Sequence, residues 1–116
     1  MEIKIKRIYE KAAKTDGTRI LVDRIWPRGV SKEDAQLDDW IREIAPSTEL
    51  RKWFNHEDER FNEFSKKYKT ELKQHKDLMD SLLEKAKKKK LTLVYSAKNE
   101  IHNQAVVLRE YLIELK

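Results

Sequence analysis

Two apolar runs, RILVDRIW at 19–26 and LTLVYSA at 91–97, constrain this chain most. Both are too continuously apolar for a strand with one wet face, and both read as strands covered on two faces. A third run, with Ile3, Ile5 and Ile8 set among charged residues, alternates as a half-exposed strand does. The residues between and after these runs carry helical spacing. Strands at both ends of the chain with helices between and after them predict an α/β layer fold.

The connection between the first two strands leaves their pairing open. EKAAKTDGT contains the turn signal Asp16-Gly17. At nine residues it is short for a parallel crossover and long for a tight hairpin. Ser31 with Asp34 resembles a capping box opening a short turn. Leu37, Trp40, Ile41 and Ile44 follow at helical spacing, and Pro46 ends that predicted helix. Ser47 caps a short helix carrying Leu50, Trp53 and Phe54. Phe61, Phe64, Tyr68 and Leu72 stripe a long helix starting near Asp58, and Leu78, Met79, Leu82, Leu83 and Ala86 stripe another. Ile101, Ala105, Leu108, Leu112 and Leu115 define the last helix, with Asn99 as its expected N-cap.

Composition removes several chemistries. With no cysteine, disulfides, thiolate catalysis and Cys-based zinc sites are excluded. His56, His75 and His102 show no ligand spacing, so no metal site is expected. No cofactor motif is present. No apolar run approaches the roughly 20 residues of a membrane helix. MEIKIKRIYE lacks the apolar centre of a signal peptide, and the expectation is a single cytoplasmic domain with no membrane partner. The net charge of +5 arises from 26 basic and 21 acidic residues, a modest bias toward anionic partners.

The stretch LVDRIWPRG marks the expected business end. Asp23 and Arg24 end the second strand, where ligands of open α/β sheets bind. Pro27 restricts Trp26 to an extended shape, and Gly29 permits a sharp exit. Such a loop would hold Arg28 as a rigid fork for phosphate or carboxylate, with Arg24 and Trp26 beside it. The plainer reading is that Asp23 pairs internally with an arginine and Trp26 packs in a tight corner.

A second stretch, SAKNEIHNQA at 96–105, follows the last strand and opens the last helix. With Asn99 as cap, the amides of Glu100, Ile101 and His102 would form an anion site, joined by Ser96, Lys98 and Asn103. The plainer reading makes Asn99 only a cap and leaves Lys98 solvated. His102 is the candidate acid or base, with Asp23 as proton acceptor or as the group orienting an arginine. Ser96, His102 and Asp23 can be written as a triad, but nucleophile-elbow glycines are missing. Outside these stretches, Arg51 is expected in an ion pair; His56 could reach the site from its loop, a helix cap or bridge being the plainer reading. The lysines 87–90 read as a solvated face at a helix end.

The segments VDRIWPRG, APSTELRKWF and HNQAVVL in combination resemble the YeaO-like branch of domain-of-unknown-function family 488 (DUF488), from about Ile5 to Leu112. The resemblance implies a compact α/β domain with a small, mainly parallel sheet of three or four strands. It also implies that the loop 23–29 faces the loop 96–103. Longer relatives carry Cys-Ala-Glu and Cys-His-Arg motifs at the second place. Here those positions read Tyr95 or Ser96, Ala97, Lys98, and then Ile101-His102-Asn103, so thiol chemistry does not transfer.

The expected function is therefore a pocket for a small anion at the carboxyl edge of the sheet, with hydrolysis or transfer on a small phosphorylated or nucleotide-like ligand as its catalytic form. The alternative is a non-catalytic module binding nucleic acid or protein through the lysine face. The sequence leaves open whether the protein is an enzyme, and it leaves the oligomeric state open too.

Overall fold

The computed structural model describes all 116 residues. Four parallel strands form one sheet: β1 (Ile3–Arg7), β2 (Thr18–Leu21), β3 (Asp39–Trp40) and β4 (Leu91–Tyr95), in the order β1-β4-β2-β3. The pairing left open between β1 and β2 resolves because the two strands never touch. Each bonds to β4 instead, with Ile3 and Thr18 both opposite Leu91. β4 is therefore central and buried at all five residues, which explains its unbroken apolar sequence.

The two faces of the sheet are clothed differently. Ile3, Ile20, Val22, Leu91, Leu93 and Tyr95 point into the main core. There they meet α2 (Thr48–Phe54), α3 (Phe61–Leu72), α4 (Lys76–Lys88) and α5 (Gln104–Leu115). The predicted stripes of α3 and α4 supply Phe64, Tyr68, Leu72, Met79, Leu82 and Ala86 to it. The Tyr68 hydroxyl keeps its burial tolerable by donating to the Ile44 carbonyl at 2.6 Å. The opposite face carries Ile8, Leu21 and Val94, covered by Ala35 of the short α1 (Lys32–Ala35) and by Trp26, Val30, Leu37 and Trp40.

Three local expectations are corrected. The stretch 37–44 is not a helix: Asp39 and Trp40 pair with Ile20 and Leu21, and residues 42–44 form a single 3-10 turn. The Asp38 carboxylate accepts from the Arg19 amide at 2.8 Å and ties this stretch to the edge of β2. Strand β2 also ends at Leu21, well short of residue 26, although the Val22 amide still donates to Val94. Finally, the last helix starts at Gln104, leaving Ile101 outside it and 71% exposed.

Opposite the helices, Asp16 is fully buried. Lys4, Lys6 and Arg19 pair with its carboxylate at 3.0, 3.1 and 2.7 Å, and the Ala13 amide donates to it at 2.9 Å. Burial by itself would raise its pKa. The Ala13 amide and the three cations outweigh burial and hold it well below the usual aspartate range.

Candidate functional site

The two stretches singled out in the sequence meet at the carboxyl edge of the sheet. Asp23, just beyond β2, is 6% exposed. Its Oδ2 accepts from the Ser96 amide at 3.1 Å and from the Ser96 hydroxyl, and its Oδ1 accepts from Gln104 Nε2. One carboxylate thus joins the end of β2, the end of β4 and the start of α5. Burial raises the Asp23 pKa; the Ser96 and Gln104 hydrogen bonds and the Arg51 charge oppose that rise without cancelling it. The 96–97 loop is also held from β1, because Arg7 donates to the carbonyls of Ala97 at 2.8 Å and Ser96 at 3.3 Å.

A cavity of about 220 Å³ opens beside this junction. Asp23, Arg24, Arg51, His56, Ser96 and Gln104 are among its polar lining. Ile25, Ala45, Pro46, Phe54, Phe64 and Ala97 make the apolar part. Phe54 and Phe64 stack with ring centres 4.3 Å apart. Arg24 lies against the 45–46 backbone, donating to the carbonyl of Ala45 at 3.1 Å and more weakly to that of Pro46. Those bonds use Nε and Nη2 and leave Nη1 free. Arg51 is exposed like Arg28 and Lys98 but, unlike them, lines the cavity from α2, and its guanidinium has no hydrogen-bond or ion-pair partner.

Local sequence explains why Arg51 stands there. Pro46 ends the preceding segment, and Ser47 caps α2 by accepting from the Leu50 amide at 3.1 Å. The Ser47 amide and hydroxyl both donate to Glu71 of α3, at 2.9 and 2.6 Å. This double bond to a second helix fixes α2 over the strand ends, and its second turn delivers Arg51.

Of the residues named from sequence, Asp23, Arg24, Ser96 and Asn103 line the cavity, and Trp26, Arg28, Lys98 and His102 do not. Trp26 packs edge-on to Trp40 at 5.3 Å and donates to the Val30 carbonyl, so the plainer reading holds for it. Arg28 is exposed on the same loop, outside the cavity lining, and only its carbonyl is engaged, accepting from Tyr9. Lys98 is exposed. His102 stacks on Phe61 at 4.5 Å and its Nδ1 meets Asp58 at 2.9 Å, which keeps it from Ser96. The triad of Ser96, His102 and Asp23 is not assembled.

The expected amide cradle at 100–102 also takes another form. Asn99 Oδ1 accepts from the Ile101 and His102 amides, closing a local turn rather than capping the helix. Asn103 is the true cap: its Oδ1 accepts from the Val106 amide, and its Nδ2 donates to the Asn99 carbonyl. Arg51, expected in an ion pair, and His56, for which a cap or bridge is the plainer reading, both line the cavity. The available signal was the Pro46-Ser47 helix start, which sets Arg51 one turn into a helix entering at the strand ends.

The fold and the site define a small parallel α/β protein with a two-arginine cavity at the carboxyl edge of its sheet. The chain belongs to the inactive DUF488-N3 subclade, whose family model matches residues 2–115. It is 50% identical over 115 residues to the Uncharacterized protein YeaO of Escherichia coli (strain K12), spanning 99% of this chain and 100% of that one. Uncharacterized proteins of Mycobacterium bovis and Mycobacterium tuberculosis are each 47% identical over 70 residues, 60% of this chain and 59% of theirs. No solved structure matches.

Proposed function

We propose that this protein binds a small anion, a phosphate or a carboxylate, in the cavity beside Asp23, and binds it without transforming it. The observation that carries the reading is the Arg51 guanidinium, which lines a concave site next to Arg24 and has no partner of its own. Guanidinium forks are matched to carboxylate and phosphate oxygens. The non-catalytic half rests on Ser96. Its hydroxyl is held by the Asp23 carboxylate, while His102, the candidate acid or base, is held away from it by Asp58 and Phe61. Membership of a subclade described as inactive supports the same reading. The reading takes the cytoplasm as the protein's compartment.

The test is a thermal-shift titration with sodium phosphate and sodium acetate on the native protein, Arg51→Gln and Arg28→Ala. Binding to the folded state alone raises the midpoint. A rise in the native protein and in Arg28→Ala that disappears in Arg51→Gln supports the proposal. Equal rises in all three proteins, or none, would overturn it. A polyanion held across the lysine face would instead show affinity for an oligonucleotide that falls steeply with salt.

A further inference from the structure

Resting on that reading, we infer that the anion belongs to a single-ring aromatic acid, its ring seated on the apolar wall and its carboxylate or phosphate on Arg51 and Arg24. Two guanidiniums alone would suit inorganic phosphate. The rest of the lining does not: Ile25, Ala45, Pro46, Phe54, Phe64 and Ala97 give half the cavity to apolar contact.

Phe54 and Phe64 are core residues, 6% and 2% exposed, and the small part of each stacked ring that lines the cavity is aromatic surface a ligand ring can touch. Ile25, on the loop after β2, is 65% exposed while lining the cavity, so apolar surface is left wet at its mouth. An apolar ligand group would cover it; a bare inorganic anion would not.

Size limits the ligand from above. An apolar cavity of roughly 150 Å³ accommodates benzene. At about 220 Å³ this cavity has room for one six-membered ring and one anionic head. Sites for larger, drug-sized ligands run to roughly 300–1,000 Å³. A nucleotide, with its base, sugar and phosphate, would extend past the mouth at Ile25 into solvent.

The floor adds a polar preference. The Asp23 carboxylate offers about four lone-pair sites, and Ser96 and Gln104 occupy three of them. One acceptor position on Oδ1 remains for a hydroxyl or amine on the ring.

The experiment is calorimetric titration of the native protein and Arg51→Gln with benzoate, phenyl phosphate, acetate, benzyl alcohol and 1-naphthoate. Nuclear Overhauser measurements then locate the benzoate ring protons. The inference expects benzoate to bind at least tenfold tighter than acetate and benzyl alcohol, with ring contacts to Phe64 and Ile25. Naphthoate should bind more weakly than benzoate, and Arg51→Gln should lose benzoate affinity at least tenfold.

Acetate binding that depends on Arg51, with benzoate no tighter, would overturn the aromatic assignment and leave the anion reading standing. Benzyl alcohol or naphthoate matching benzoate would overturn it as well, as would ring contacts elsewhere on the protein. If no anion responds to Arg51→Gln, the anion reading fails and takes this inference with it. Ile25→Ser is the companion variant, its side chain being mostly in solvent; it should weaken benzoate about threefold.

Discussion

Asp23 and Ser96 lie 73 positions apart and are joined twice, through the backbone amide and the hydroxyl of the serine to one carboxylate oxygen. The contact closes the carboxyl edge of the sheet and forms one wall of the cavity. Its removal has calculable consequences.

Asp23→Ala strands the Ser96 amide, the Ser96 hydroxyl and Gln104 Nε2 without their acceptor. Unsatisfied buried donors cost about 1–3 kcal/mol each, reduced where water enters. The expected loss is about 3 kcal/mol in urea unfolding. Asp23→Asn removes the charge but also turns one acceptor oxygen into an NH2 donor facing Ser96 or Gln104, so the pH dependence of the difference, not its size, reports the charge. The folded protein holds this carboxyl above its ordinary value, so the native state binds the proton more tightly than the unfolded chain does. The contribution of Asp23 to stability is therefore greatest in acid and falls as pH rises through the raised value. The stability of the native protein relative to Asp23→Asn should decline from pH 4 toward neutrality; an advantage that grows over that range would contradict this.

Asp16→Asn should behave in the opposite sense. Its carboxyl is held below the ordinary value, so its stabilisation is complete above the unfolded pKa and is lost as pH falls toward the folded one. At neutral pH the variant leaves Arg19, 4% exposed, without its buried counter-charge. Breaking such a pair costs about 3–5 kcal/mol. Urea midpoints at pH 7 should differ accordingly, and the difference should narrow on acidification below pH 4.

Gly17→Ala and Gly29→Ala separate backbone strain from steric clash. Both glycines have positive φ, 68° and 77°. A Cβ at Gly17 would stand 2.2 Å from the Lys90 carbonyl oxygen, whereas nothing lies within 4 Å of one at Gly29. Gly29→Ala should cost about 1 kcal/mol, the left-handed penalty alone. Gly17→Ala should cost about 3 kcal/mol or more, because its φ 68° and ψ −134° lie outside the left-handed well and the Thr18–Lys90 backbone bond beside it must shift as well. Equal costs in equilibrium unfolding would refute the distinction.

Sequence carried the elements whose pattern is dictated by their own burial. The unbroken apolar run of β4 and the stripes on α3 and α4 could be read directly, because each residue's environment follows from its position in a repeating geometry. β3 could not be read, since two residues have no period and Asp38 and Trp40 act through partners on β2 and its loop. The cap at Asn103 was hidden by Asn99, an equally good capping residue that closes its own turn four positions earlier.

The site divided in the same way. Asp23, Arg24 and Ser96 were legible because strand ends in parallel sheets collect function. Arg51 was read as an ion pair and His56 more as a cap or bridge than as a site group, because Pro46-Ser47 marks where α2 starts but not that α2 leans over the sheet. That information sits in Glu71, which holds Ser47 across 24 positions. Arg28 misled because a stiff loop fixes a side chain's direction without revealing what that direction is.

The placement of β4 sets the order in which this molecule can be assembled. Until Leu91–Tyr95 has left the ribosome, β1 has no strand to bond with and β2 has only its two-residue ladder to β3. Helices along the first ninety residues can form locally, but the sheet must close over long loops, which slows folding. A nascent or truncated chain ending before this strand leaves the edges of β1 and β2 unpaired, exposed to whatever other polypeptide it meets first.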